Sequence, residues 1–166
     1  MYPVSWLCQT ASANPPSQEE QQALLARARL LQQGTEARRP MLLGKRLGLM
    51  CADVAGPDAQ RFLQAAQELG AHVALIPAPA WPPAEQAQQL AGIGCLLGRL
   101  YDAVDCQGLG PAAVERLAAA GNIPMYAGLA CREHRIFGLA QQWDVTAPLR
   151  DRWRWLVQAA LLATLV

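Results

Sequence analysis

The chain is short of charge, and the charge it carries nearly cancels. Charged residues make up 16% of its 166 positions, with 14 Lys and Arg against 13 Asp and Glu. A nucleic-acid footprint needs a clustered basic excess, so no nucleic-acid partner is expected. Disorder is excluded from the other side, because 52% of the residues are hydrophobic, enough to bury a core. The cysteines lack a pattern. Cys8, Cys51, Cys95, Cys106 and Cys131 are widely spaced, odd in number and form no C-x-x-C. Zinc sites need close paired ligands, and small disulfide frameworks favour even counts. No metal site is therefore expected, and the cysteines read as reduced thiols of a cytoplasmic protein. No basic stretch leads into an apolar one at the N-terminus, so no secretory signal is expected. Long apolar runs are missing as well. Residues 155–166 are strongly apolar but too few to span a bilayer, and they predict a docked core helix rather than a membrane anchor.

What is present is an alternation of short apolar runs with helical patterns. Pro3, Pro15 and Pro16, among small polar residues, mark 1–16 as a flexible or draped arm. Ser17 followed by Glu20 is a capping box that opens a helix to about Gln33, with Leu24, Ala28 and Leu31 on one face and Gly34 as its stop. Strands are predicted at 46–51, 72–76, 102–106 and 123–126. Helices are predicted at 57–69, 83–99, 111–120, 132–142 and 149–165, with Pro57 suited to a first helical position. Short buried strands between helices imply a four-stranded parallel sheet with right-handed crossovers in a three-layer α/β/α sandwich. The domain would span 17–147, with 148–166 packing back on it as a last helix. In such folds ligands sit outside the carboxyl ends of the strands, here 51–57, 77–81, 106–110 and 127–134.

Several segments carry a more specific signal. Leu43-Gly44-Lys45-Arg46-Leu47 matches an L-x-G-K entry to a first strand. Gln67-Glu68-Leu69-Gly70-Ala71-His72-Val73 is similar to a Q-L-G-G-H-V turn. Leu97-Gly98-Arg99-Leu100-Tyr101-Asp102-Ala103-Val104 is similar to L-S-R-M-Y-D-A-I. Ile123-Pro124-Met125-Tyr126-Ala127-Gly128-Leu129 is similar to V-P-V-I-N-G-L, and His134 with Leu139-Ala140 falls on H-P-C-Q-x-L-A-D. In this order and spacing they resemble the ornithine/aspartate carbamoyltransferase family, and most closely the carbamoyl-phosphate domain of ornithine carbamoyltransferase. The resemblance implies a Rossmann-like domain, no cofactor, and trimers formed through this domain with sites shared between neighbours. Residues 152–165 resemble the family's last helix, so the domain that binds the amino acid would be missing between about Trp143 and Leu149.

The departures bear on function. Ala55-Gly56-Pro57-Asp58-Ala59 stands where the family binds phosphate with S-T-R-T-R, an arrangement of helix-terminal N–H groups and guanidiniums around a dianion. Asp53 and Asp58 put carboxylates there instead, and Pro57 removes a donor. Gln107 stands for the family's arginine after the third strand, and Gly92-Ile93-Gly94-Cys95 for D-T-A-R. His134-Arg135-Ile136-Phe137 stands for H-P-C-Q, so only the histidine matches. This chemistry depends on several donors at once, and their joint loss implies a catalytically inactive relative. It would act as a binding or regulatory protein, in a homo-oligomer or a hetero-oligomer with a metabolic enzyme. The alternatives are a transferase-related enzyme or small-molecule binder of changed specificity, and residual carbamoyl transfer within a mixed oligomer. The expected strand-edge pocket comprises Asp53, Ala55, Gly56, Asp58, Gln107, His134 and Phe137, with His134 as residual catalytic candidate and Arg132 and Arg135 beside it.

Plainer readings stand next to these. His134 reads more readily as a side chain hydrogen-bonded near the sheet edge, because one surviving donor makes no catalytic constellation, and His72 reads as structural. Cys51 and Cys131 lie near the edge, but a reactive thiol needs a basic, exposed setting. Trp153 and Trp155 lie on different helix faces. The rigid tract Pro77–Pro83, with Trp81, would close the old pocket or face a partner. Gly92, Gly94 and Gly98 lie within a helix, so they form no dinucleotide fingerprint and read as close packing against another element or subunit.

Overall fold

The computed structural model describes residues 5–8, 15–34, 40–77, 87–143 and 146–166. The Trp81 tract beyond Pro77, residues 83–86 of the third long helix and most of the 1–16 arm lie outside them. Within the arm, Ser5–Cys8 form a helical turn, α1, and both Trp6 and Leu7 are buried. The remaining elements are α2 (Gln18–Gln32), β1 (Arg46–Cys51), α3 (Pro57–Glu68), β2 (His72–Pro77), α4 (Ala87–Leu100), β3 (Ala103–Cys106), α5 (Pro111–Gly121), β4 (Met125–Tyr126), α6 (Arg135–Gln142) and α7 (Leu149–Leu165).

The four strands form one parallel sheet in the order β2-β1-β3-β4. β1 is central, and its alternation assigns its neighbours. Leu47, Leu49 and Cys51 face a core built with α1, α2, α3, α6 and α7, whereas Met50 faces a second core under α4 and α5. The result is the three-layer α/β/α sandwich with a four-stranded parallel sheet that the alternation predicts. Among the described residues no helix is long and apolar enough to cross a membrane. The apolar C-terminal stretch is instead the buried face of α7, including Leu156, Val157, Ala160 and Leu161.

Local chemistry sets the boundaries. The Ser17 hydroxyl accepts from the Glu20 amide at 3.2 Å and the Glu20 carboxylate from the Ser17 amide at 2.7 Å, closing the capping box. β3 begins at Ala103 because the Asp102 side chain turns to the β1 entrance and accepts from the Arg46 amide at 2.7 Å. β4 is shorter than the sequence suggests, since Pro124 has no N–H to give the ladder. Helix α6 starts at Arg135 rather than near 132. The chain first makes a turn at Gly128, which has φ of +72°, and His134 becomes the N-cap.

The glycine pattern in α4 has a definite partner. A Cβ at Gly94 would lie 2.5 Å from the Leu117 carbonyl oxygen of α5, and one at Gly98 would overlap the Gly121 carbonyl. The close packing is therefore α4 on α5, within the chain.

Candidate functional site

At the carboxyl edge of the sheet, β1 runs into 52–56 and then α3. Gly56 is the N-cap residue of α3 with no side-chain cap, and Pro57 fills the first turn. The Asp53 carboxylate accepts from the Ala55 amide at 3.0 Å. Asp58 is paired with Arg61 at 2.9 Å, and the same guanidinium donates to the Ala130 carbonyl at 2.6 Å. Arg61 also lies 3.4 Å over the ring of Trp153 on α7. It thus joins the start of α3 to the β4–α6 turn and to the last helix.

This stack sets a prediction. Arg61→Ala removes a charge-assisted bond and a cation–π contact and takes the guanidinium from the Ala130 carbonyl and from Asp58. The expected cost is roughly 2–3 kcal/mol by urea denaturation, discounted for the partial exposure of the pair. A loss below about 0.5 kcal/mol, an ordinary surface value, would show the stack to be passive.

The sequence candidates divide between different partners. His134 is buried; its Nδ1 accepts from the Ile136 amide at 3.3 Å, and its Nε2 lies 3.2 Å from the Leu7 carbonyl of α1. A ring that accepts at Nδ1 and donates from Nε2 is neutral. Burial pulls its pKa down to about 4, against the Leu7 carbonyl and with help from the Arg135 charge. Phe137 packs on Trp153, with ring centroids 4.5 Å apart, and Arg132 lies 5.7 Å over the Phe137 ring. Gln107 is buried and donates from Nε2 to Asp105 at 3.0 Å. Asp53, Ala55, Gly56 and Asp58 stay together at the α3 entrance, while His134 and Phe137 are engaged by α1 and α7.

Asp105 is the residue that the sequence reading passed over. It is fully buried on β3, and its Oδ1 accepts from the Leu129 amide at 2.7 Å. Its signal was an acidic side chain inside an otherwise apolar strand, where burial demands donors. Nearby thiols are held protonated. Burial first, then Asp53 and Asp105, raises Cys51; burial, then Asp105 and Asp58, raises Cys131. Among the described residues no group of three or more His, Cys, Asp or Glu is placed to hold a metal ion.

A surface groove of about 470 Å³ opens between α3 and α7, lined among others by Gln60, Arg61, Gln64, Arg150 and Arg154. Its arginines are matched by acids: Arg61 by Asp58, Arg154 by Glu68 at 2.7 Å, and Arg150 by Asp151 at 4.0 Å. It offers a polar surface with little net field.

Comparison with known proteins places this arrangement. Over 101 residues the chain is 30% identical to the ornithine carbamoyltransferase of Cutibacterium acnes, a match covering 61% of this chain and 29% of that protein. The chain is related to ornithine carbamoyltransferase. No protein-family model matches it. The fold is shared with solved ornithine carbamoyltransferases. That of Thermus thermophilus aligns with a TM-score of 0.63 at 24% identity, over 81% of this chain and 45% of that one. The Pyrococcus furiosus enzyme gives 0.59 at 21%, over 74% and 40%. The match thus spans less than half of each ornithine carbamoyltransferase, as expected for one α/β domain of that enzyme.

Proposed function

We propose that this ornithine carbamoyltransferase relative does not transfer carbamoyl groups and acts as a binding or regulatory subunit, within an oligomer of its own kind or on a metabolic enzyme. One observation carries the reading. The start of α3, matched by resemblance to the phosphate motif, carries the protein's own carboxylates: Asp53 on the Ala55 amide and Asp58 on Arg61. Carboxylates at a helix N-terminus satisfy its dipole internally and repel a phosphate dianion. Other features lend support. His134 is spent on capping α6 and on Leu7, Phe137 is packed on Trp153, and residues 143–148 join α6 to α7 with no second domain between them. A cytoplasmic setting belongs to the same reading.

Titration calorimetry with carbamoyl phosphate tests it. No binding heat is expected at micromolar to low millimolar ligand, and a micromolar Kd would overturn the proposal. Co-purification from the native host with mass spectrometry, beside sedimentation of the pure chain, tests the partner. A monomer that brings down no stoichiometric companion would sink the subunit role.

A further inference from the structure

Asp105 is a buried acid in a site of acids. It stands on the same face of β3 as Ala103, with no exposed surface. Both carboxylate oxygens are occupied, Oδ1 by the Leu129 amide at 2.7 Å and Oδ2 by Gln107 Nε2 at 3.0 Å, and the Gly128 amide adds a third donor. The titratable groups facing it are Cys51 from β1, Asp58 from α3, Cys106 from β3, Tyr126 from β4 and Cys131 from the following turn. None of these carries positive charge. Arg61, which reaches this turn, is committed to Asp58 and the Ala130 carbonyl.

Such a carboxyl is under two opposed demands. Burial without a countercharge favours the protonated form, and three N–H donors favour the anion. The outcome is a carboxyl pushed up to about 7. Gln107 is suited to both forms. Its amide donates from Nε2 to the anion, and with the amide reversed it offers Oε1 to a carboxyl O–H.

We propose that Asp105 and Gln107 form a proton-operated latch on the turn that begins at Gly128. The anion grips the turn amides, and the protonated form turns its O–H to Gln107 and loosens that grip. The turn leads directly into α6, because the Cys131 carbonyl accepts from the His134 amide at 3.1 Å and His134 caps the helix. The protonation state of a residue on β3 thereby bears on how α6 begins, without any ligand.

Carboxyl-carbon NMR of the labelled chain between about pH 5 and about pH 9 tests the latch directly. One aspartate resonance is expected to titrate with a midpoint of about 7. The Leu129 amide proton should move with the same midpoint, and both changes should vanish in Asp105→Asn. Gln107→Arg makes the test independent of whether that variant folds. A guanidinium beside the carboxyl should lower the midpoint by about one unit or more. The latch is refuted if no aspartate titrates near neutrality, if the Leu129 amide ignores that titration, or if Gln107→Arg leaves the midpoint in place.

Discussion

Gly98→Ala is expected to cost about 3 kcal/mol or more, enough to leave much of the population unfolded in mild urea. Overpacking a core costs ~1–3 kcal/mol when side chains can yield. At Gly98 the obstacle is backbone, since a Cβ would overlap the Gly121 carbonyl oxygen and stand 2.9 Å from its carbon. Helix α4 must then move off α5 and lift Leu90 and Leu97 from the core they share with Val114 and Leu117. Gly92, on the same helix, predicts the opposite. A Cβ there meets nothing within 4 Å, so Gly92→Ala should stabilise by roughly 0.5–1 kcal/mol through helix propensity alone. Equilibrium denaturation of the two variants side by side decides the matter. Equal effects would mean that α4 and α5 do not cross at Gly98.

The second large effect concerns acid. His134 has its folded pKa lowered from 6.5 to about 4, so the unfolded chain binds its proton first. Its contribution is complete above about 6.5 and is lost as pH falls toward 4, amounting to roughly 3 kcal/mol. Asp105 works with the opposite sign. Its folded pKa is raised from 3.8 to about 7, so its contribution is complete below about 4 and is lost as pH rises to about 7. Between about pH 4 and about pH 6.5 the two slopes oppose each other, and the native protein should show a shallow profile. His134→Asn keeps a good N-cap residue and should unmask a stability that falls with rising pH. Asp105→Asn should unmask one that rises. A His134→Asn profile parallel to that of the native protein would sink this account of the ring.

Much of the scaffold is legible in the sequence because its signals are local. The capping box at Ser17, Pro57 at a helix start and the apolar runs of β1 and β3 depend on neighbours within a few positions. The site is less legible because its partners are remote. His134 finds Leu7 127 residues away, on a segment that composition marks only as an arm. Arg61 finds Ala130 and Trp153 from a helix that gives no hint of either. Asp105 shows the limit most clearly. An acid in a buried strand requires donors, but nothing near it in sequence says that Gly128 and Leu129 will supply them. The glycines of α4 announce a close approach without naming the element approached.

The position of α7 has a consequence for how the chain is made. This helix packs against α2, α3 and α6, and so completes the core beneath Leu24, Leu31 and Phe62. During synthesis those residues emerge long before 149–165. A nascent chain therefore carries the apolar sides of α2, α3 and α6 uncovered until α7 leaves the ribosome, and its contacts of greatest sequence separation form last. Chaperone capture, if it occurs, should fall in that interval, on the α2–α3 face rather than on the α4–α5 layer, whose partners are already present.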